Sequence, residues 1–450
     1  MLPFNRSLAA QNTERILHMD TFSRVETWID ENKGLEVDFL QQLIRIPSIN
    51  PWFSDYKEYT TEKEVQEFIA RNLKELGFDV RLWETDAGLL KEYKGYPGYY
   101  EGRPMHDRPI LYACYQGTGN GRSLLLTGHA DVVKTGEGWT RDPFGGAIEG
   151  NRMYGRGTVD MKGGIAAMIM AARAVIQCRI ELRGDIQINT VPDEEAGGMG
   201  SLDYVHRGIH SDGAIMTEPT NLEIGPMCRG ILWGKITIPG RAGHIEMAQS
   251  HWSQGGCVDA VKLLQLYLNA IDNFNRYWAA RKTHPFMKIP CQLLVAGVHA
   301  GEYPSAYAGS AEIIFDAQYL PQDLDERYRG SRIKKEIEDF VDKVADTDEW
   351  LRENRPHVQW LLDADCAETP ADGAFVKAMA EGAGRVQSPV IINGLGAHSD
   401  MGWYVHQGIP TINFGPGSPL IAHQADEYIE LDQYITSIKM LAAMIINWCK

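Results

Sequence analysis

Five residues with metal-ligand side chains stand directly after apolar segments that are typical of buried strands. They are His129, Asp160, Glu195, Glu218 and His423. An open α/β sheet presents ligands at the carboxyl ends of its strands, so this pattern predicts such a sheet with a site at one edge. Two imidazoles and three carboxylates suit zinc or a similar divalent ion, and a shared carboxylate can bridge two ions. A two-metal site points to hydrolysis.

Length and charge limit the class of protein. A chain of 450 residues is too long for one compact core, so two domains are expected. Its net charge of −16 disfavours nucleic acid and anionic membranes as partners. It has no run of about 18 apolar residues, so no membrane span is predicted. Seven dispersed cysteines and an N-terminus without the apolar core of a signal peptide predict a cytoplasmic protein with reduced thiols.

The order of predicted elements indicates an α/β fold with an insertion. Strands alternate with helices up to about residue 227, which is typical of a mostly parallel sheet. The next segment has the order β-α-β-β-α-β of a ferredoxin-like unit. We therefore predict a catalytic domain of residues 30–227 and 364–450, an inserted domain of residues 228–363 and an N-terminal extension of residues 1–29.

Local patterns predict two further elements. Apolar spacing predicts a charged amphipathic helix over residues 323–344 of the inserted unit. Residues 390–392 are predicted to form a strand of the catalytic domain.

In two of the motifs, residues close together in sequence are expected to have different chemical roles. His129 and Asp131 form an HxD pair, whose side chains fall on the same side of a strand. One of them can therefore bind a metal while the other orients the imidazole or tunes a neighbouring base. Glu194 and Glu195 repel each other unless a cation or proton lies between them. Their side chains diverge, so one can ligate a metal while the other accepts a proton from metal-bound water.

Each candidate also has an ordinary structural role. Asp160 precedes a predicted helix and suits an N-cap. The adjacent glutamates suit a solvated turn, and Glu218 and His423 suit polar surface positions. Jointly, however, five such residues at strand ends in one architecture favour a metal site.

The motifs together resemble a known family. The segments HADVV, GRGTVDMKGG, DEEAGG, TEPT, GRAGH, GIPTINFGPG and AHQADE are similar in order and spacing to the M20 family of dinuclear zinc aminoacylases and peptidases. The similarity runs from about residue 35 to the C-terminus. It implies the α/β catalytic domain and an inserted lid that commonly makes a homodimer.

The resemblance implies a role for each site residue. One zinc ion would be held by His129, Asp160 and Glu218. The other would be held by Asp160, Glu195 and His423, with Asp160 bridging and Co²⁺ or Mn²⁺ as alternative metals. Three further residues would assist catalysis: Glu194 as general base, Asp131 as the partner of His129, and His244 of the lid, often supplied by the partner subunit, as an oxyanion donor.

Departures from the family pattern concern the substrate. The family often has an Arg after the Ser/Thr-Asp of its last active-site loop, where this chain has Met401, and an Arg where this chain has Gln318. The familiar Arg–carboxylate clamp is therefore missing. The remaining candidates for substrate binding are Arg229, His398, Ser399 and Trp403.

These observations predict a metal-dependent hydrolase that cleaves a linear amide C–N bond of a small molecule. An N-acyl amino acid deacylase is the leading expectation. The alternatives are a dipeptidase or carboxypeptidase, a deacylase or deformylase of an aromatic or heterocyclic amide, and a non-catalytic binding protein that retains the fold. A serine hydrolase of the α/β class is disfavoured because no GxSxG motif occurs.

Overall fold

The computed structural model describes residues 20–53 and 61–450. Its helices are α1 (Thr21–Glu31), α2 (Lys33–Ile44), α3 (Glu62–Glu75), α4 (Lys162–Gln177), α5 (Met199–His206), α6 (Ala260–Ala279), α7 (Ser331–Ala345), α8 (Glu349–Glu353), α9 (Ala374–Gly384), α10 (Met401–His406) and α11 (Leu431–Trp448). Its strands are β1 (Asp79–Glu84), β2 (Pro109–Tyr115), β3 (Leu124–His129), β4 (Ala147–Glu149), β5 (Arg152–Tyr154), β6 (Ile186–Val191), β7 (Ala214–Met216), β8 (Gly230–Pro239), β9 (Gly243–His244), β10 (Leu293–Ala300), β11 (Ala306–Tyr307), β12 (Ser310–Tyr319), β13 (His357–Ala364), β14 (Thr411–Asn413) and β15 (Tyr428–Glu430).

The main sheet has six strands in the order β1-β2-β6-β3-β7-β14. Its last four strands run parallel, while β1 and β2 pair antiparallel at one edge. Strand β3 is buried on both faces: Leu124 and Leu126 enter the larger apolar core, and Leu125 enters a second core on the opposite face. A strand covered on both sides must be apolar throughout, which explains the continuous leucine run. The predicted mostly parallel sheet is confirmed.

The second sheet has four antiparallel strands in the order β10-β12-β8-β13. With α6 and α7 it forms the predicted β-α-β-β-α-β unit, and it has its own apolar core. Strands β8 and β12 alternate buried and partly exposed residues, as expected for a sheet covered by helices on one face. The predicted fold class, a parallel-sheet domain with a ferredoxin-like insertion, is therefore confirmed.

Three boundaries differ from the sequence prediction. Residues 20–29 are not an extension, because α1 buries Phe22, Val25 and Ile29 in the main core; residues 1–19 of the predicted extension lie outside the described residues. The helix predicted over 323–344 begins only at Ser331. Residues 390–392 form no strand, only a single bridge between Ile392 and Ile224.

The late start of α7 has a local cause. The carboxylate of Asp325 accepts hydrogen bonds from the backbone N–H groups of Arg327 and Arg329 and from the hydroxyl of Ser331. A short acidic side chain that satisfies several nearby donors stabilises a turn in competition with a helix. No helix within the described ranges is long and apolar enough to cross a membrane.

A buried carboxyl group makes the stability of this fold depend on pH. Both side-chain oxygens of Glu36, on α2, are buried without a hydrogen-bond partner among the described residues. Burial raises the pKa of Glu36 from its ordinary value of 4.5 to about 8. The folded state therefore holds a proton that the unfolded chain releases, and Glu36 lowers stability as pH rises from 4.5 to 8.

We expect Glu36→Gln to raise the melting temperature at pH 8 and to change it little near pH 4.5, because the amide cannot ionise. Thermal unfolding measured across this range tests the effect. Asp38→Asn, an exposed change on the same helix, is the matched control. Equal effects of Glu36→Gln at both ends of the range would contradict the account.

Candidate active site

Three of the predicted site segments meet at the carboxyl edge of the parallel strands. His129 is the last residue of β3, Glu194 and Glu195 lie in the turn after β6, and Glu218 follows β7. Parallel neighbours end at the same edge, so these side chains converge. Asp160 reaches the edge from the turn before α4, and His423 from the loop after β14.

The five predicted ligands form two groups that share Asp160. In the first, His129 Nε2 lies 3.1 Å from Asp160 Oδ1 and 3.9 Å from Glu218 Oε1. In the second, His423 Nε2 lies 3.3 Å from Asp160 Oδ2 and 3.3 Å from Glu195 Oε2. Within each group the candidate ligand atoms lie within 4.8 Å of one another. Each oxygen of Asp160 therefore faces a different imidazole, as a bridging carboxylate requires.

Backbone geometry brings these groups together. A side chain at Gly164, in the first turn of α4, would place its Cβ 1.9 Å from the carbonyl oxygen of Thr217. Only glycine allows α4 to begin so close to the strand end that carries Glu218. Asp193 and His423 have left-handed φ values of 75° and 63°. Such a conformation is costly for a non-glycine residue, so the surrounding structure must hold both residues in place.

The donor set fits divalent cations. Glu195 Oε1 and Glu218 Oε1 are buried and have no hydrogen-bond partner within the described part of the chain. Burial raises the pKa of Glu218 well above its ordinary range. Burial acts in the same direction on Asp160, but hydrogen bonds from His129 and His423 outweigh it and lower the pKa of Asp160. Buried carboxylates without partners are costly unless a cation neutralises them.

Asp131 contacts both His129 and the turn that carries the two glutamates. The Nδ1 of His129 bonds to the backbone carbonyl of Asp131 at 2.8 Å, whereas the Asp131 carboxylate lies 3.6 Å away. A donor role for Nδ1 leaves the lone pair of Nε2 directed at Asp160 and Glu218 of the first group. The carboxylate instead accepts from the backbone N–H groups of Glu194 and Glu195, at 3.3 and 3.2 Å. Asp131 thus holds the turn that carries both glutamates.

Glu194 lies between two imidazoles. Its Oε2 is 3.7 Å from His129 Nε2, and its Oε1 is 3.9 Å from His398 Nε2. Burial, and after it the carboxylates of Glu218 and Asp400, raise the pKa of Glu194 well above its ordinary range. A carboxylate that holds a proton more firmly is better suited to accept one from water.

The predicted substrate residues fall in different surroundings. His398 is buried beside Glu194, and Ser399 is fully buried with a hydroxyl that has no partner among the described residues. Trp403 is 3% exposed and packs in the second core against Gly98, so its side chain has a structural role here and its predicted contact with substrate stays a prediction. Burying the large apolar indole of Trp403 in that core stabilises the fold more than leaving it exposed at a pocket would.

Arg229 and His244 lie in the inserted unit. Arg229 is 4% exposed and donates to Gln318 Oε1 at 2.7 Å and to the carbonyl of Ile289. It lines a cavity of about 440 Å³ with Met287, Asn393 and Leu420. His244 is exposed in the two-residue ladder β9–β11, where its Nδ1 accepts from the backbone N–H of Glu246. Its contacts are thus local, and its predicted oxyanion role remains a prediction.

A buried charged network behind the glutamate turn was missed from the sequence. Asn50 donates to the Asp131 carboxylate at 2.8 Å. Arg108 donates to Asp193 at 3.0 Å and also pairs with Glu62. Asp193 immediately precedes Glu194, so these contacts fix the turn. No local motif marks Asn50 or Arg108, since both come from loops distant in sequence.

A model of peptidase family M20/M25/M40 matches residues 125–447. The chain belongs to the M20 family. This confirms the family resemblance and, with it, the predicted reaction class of a hydrolase acting on amide bonds.

Three comparisons illustrate the range of this M20 chain's relatives. It is 27% identical over 405 residues to the N-formyl-4-amino-5-aminomethyl-2-methylpyrimidine deformylase of Bacillus subtilis (strain 168), covering 86% of this chain and 89% of that one. It is 27% identical to the succinyl-diaminopimelate desuccinylase of Wolinella succinogenes, covering 88% and 94%. Its fold is similar to the Bacillus subtilis YXEP protein, a dinuclear metal-binding M20 peptidase (TM-score 0.58, 15% identity, 93% and 98% coverage).

Because Asp160 belongs to both ligand groups, substitutions in the two groups should have different effects on metal content. We expect about two ions per wild-type chain, about one in His423→Ala, and neither held tightly in Asp160→Ala, because only Asp160 belongs to both groups. Metal analysis after dialysis measures this.

The control is His106→Ala, which alters an exposed group of Glu84, His106 and Asp107 elsewhere on the surface. That variant should keep both ions. Two ions retained by Asp160→Ala would show that the shared carboxylate is not a bridging ligand.

Proposed function

We propose that this chain hydrolyses the amide of a small N-acyl amine by means of a water molecule deprotonated by Glu194. The observation that carries the proposal is the placement of Glu194 beside two ligand groups that share Asp160. A binding protein that had lost catalysis would not need to retain both groups and the base.

The proposed metal site uses the residues predicted from the sequence. His129, Asp160 and Glu218 would hold one ion, and Asp160, Glu195 and His423 the other. The mixed imidazole and carboxylate donors favour Zn²⁺, and Co²⁺ or Mn²⁺ accept the same donors. When bound, a metal pair lowers the pKa of water and polarises the substrate carbonyl.

Proton transfer is assigned to this chain's own residues. Glu194 accepts the proton of the attacking water and later delivers it to the nitrogen of the leaving amine, so the base is regenerated in each cycle. Asp131 fixes the backbone of the glutamate turn through its two N–H contacts. His244 of a partner subunit would stabilise the oxyanion.

The surroundings of Arg229 favour a substrate without a carboxylate. Gln318 and the Ile289 carbonyl each accept from one terminal nitrogen of its guanidinium, so a bidentate carboxylate would have to compete with them. Met401, which stands where the family often has a second Arg, carries no charge. The pyrimidine deformylase relative, whose name describes a neutral N-formyl amine, supports this class. We therefore propose a formyl or short acyl amide of an aminomethyl heteroaromatic amine.

An N-acyl amino acid is the second candidate. It is favoured by the desuccinylase relative and by the Nε of Arg229, which is buried without a partner in the described part of the chain. Under this reading the guanidinium would exchange Gln318 for a substrate carboxylate. His398 and Ser399 remain candidates for contacting either substrate.

We also propose that the chain forms a homodimer through the lid. Strand β10 is an edge of the four-stranded sheet and exposes the apolar side chains of Leu294, Val295 and Val298. An unprotected apolar edge strand is suited to pairing with a second copy. A cytoplasmic, reducing location is consistent with seven free cysteines.

A substrate panel distinguishes the two candidates. We expect chelator-sensitive release of amine from N-formyl and N-acetyl aminomethylpyrimidines, with a kcat/KM above that for N-acetyl and N-succinyl amino acids, because the Arg clamp is engaged by Gln318. The reverse order would select the amino acid derivatives. Equal turnover after complete metal removal would contradict the proposed chemistry.

We expect Glu194→Ala to keep about two ions and to lose turnover by two or more orders of magnitude, on the order of 10²–10⁴-fold for a general base. Metal analysis and initial rates on the best substrate check both. Glu368→Ala, a change at a partly exposed glutamate that pairs with His284, is the control. Near wild-type turnover in Glu194→Ala would mean that another group takes the proton.

A further inference from the structure

His398 is fixed in an orientation that points one ring nitrogen at the base. Its Nδ1 bonds to the backbone carbonyl of Asp365 at 3.0 Å, and its side chain is 9% exposed. A carbonyl only accepts, so Nδ1 is the donor of this bond. The opposite nitrogen, Nε2, is buried and has no hydrogen-bond partner in the described part of the chain.

The unpartnered nitrogen faces two carboxylates. Nε2 lies 3.9 Å from Glu194 Oε1 and 3.7 Å from Asp400 Oδ1. Both oxygens of Asp400 are also buried without a partner among the described residues. Surroundings that offer only acceptors favour a ring protonated on both nitrogens. Consistently, Asp400 and Glu194 outweigh burial and raise the pKa of His398 to about 9.

The turn that carries the base packs directly on this pair. Gly198 has a left-handed φ of 82°, and a Cβ there would lie 2.2 Å from Asp400 Oδ1. The glutamate turn therefore approaches Asp400 as closely as a glycine permits. Asp400 in turn lies beside the His398 ring.

The two oxygens of Glu194 consequently have different neighbours. Oε2 faces His129 and the ligand groups, whereas Oε1 faces His398. A donor bonded to Oε1 would restrict rotation of the carboxylate and leave Oε2 directed at the place where water would be deprotonated. The Nε2 of His398 faces Oε1 at 3.9 Å without a hydrogen bond in this structure, and catalytic contacts of this kind tighten when substrate binds.

We infer that His398 is a positioning residue that orients Glu194 through Nε2, a nitrogen that the carboxylate of Asp400 also faces. The inference rests on the proposed function only in assigning Glu194 as the base. It predicts an effect on turnover rather than on substrate affinity or metal content.

Kinetics of three variants test the inference. We expect His398→Ala to lower kcat by about 10–100-fold, as for other residues that orient a catalytic group. KM should change little, and about two ions should remain bound. His398→Gln should regain part of the loss, because its amide can donate to Glu194.

His406→Gln is the matched control, because His406 pairs with the Asp365 carboxylate at 2.9 Å and stacks on Tyr328. The His406→Gln variant loses a histidine ring that also contacts Asp365, and its kcat should stay near wild type. A raised KM with unchanged kcat in His398→Ala, or an equal loss in His406→Gln, would overturn the inference. So would binding of a third ion that His398→Ala abolishes.

A measurement without substrate separates this inference from the proposed function. In protein labelled with ¹⁵N-histidine, the ring resonances of His398 are those lost in His398→Gln. We expect Glu194→Gln to shift the Nε2 resonance and His406→Gln to leave it in place. An Nε2 resonance unchanged by Glu194→Gln would overturn the inference, whatever the enzyme hydrolyses.

Discussion

The concentration of buried carboxylates at one sheet edge is the constraint on which the rest of this structure depends. Asp160 faces His129 with one oxygen and His423 with the other, and Glu195 and Glu218 complete the two groups. Such a cluster is costly without cations, because neither solvent nor hydrogen bonds satisfy all its oxygens. The parallel strands make the cluster possible by ending together, and the close start of α4 at Gly164 completes it.

The sequence marks His129, Glu195 and Glu218 because they follow strands, and strand ends are marked locally by apolar runs. Asp160 and His423 come instead from the turn before α4 and from the loop after β14. Local apolar patterns also predict the order of elements in the ferredoxin-like insertion. Such patterns cannot predict a contact between residues that are distant in sequence. Asn50 and Arg108 hold the glutamate turn from loops that no periodicity marks. Trp403 belongs to a core completed by Gly98, some three hundred positions away, and no local pattern separates it from a pocket residue.

Specificity is the property that the family pattern predicts least. Relatives that are equally similar to this chain are named for an N-formyl pyrimidine amine and for an N-succinyl amino acid derivative. In this chain the departure that bears on the substrate is a substitution at a single position, since Gln318 accepts a hydrogen bond from Arg229. Small changes around a fixed centre are how one architecture serves many amides.

A crystal structure of the zinc-loaded protein, with anomalous scattering recorded at the zinc edge, tests the central claim most directly. The account predicts two anomalous peaks joined by Asp160, one also contacting His129 and Glu218 and the other Glu195 and His423. Glu194 should contact neither ion directly. A single peak, or peaks at other side chains, would contradict the shared-carboxylate site and the mechanism derived from it.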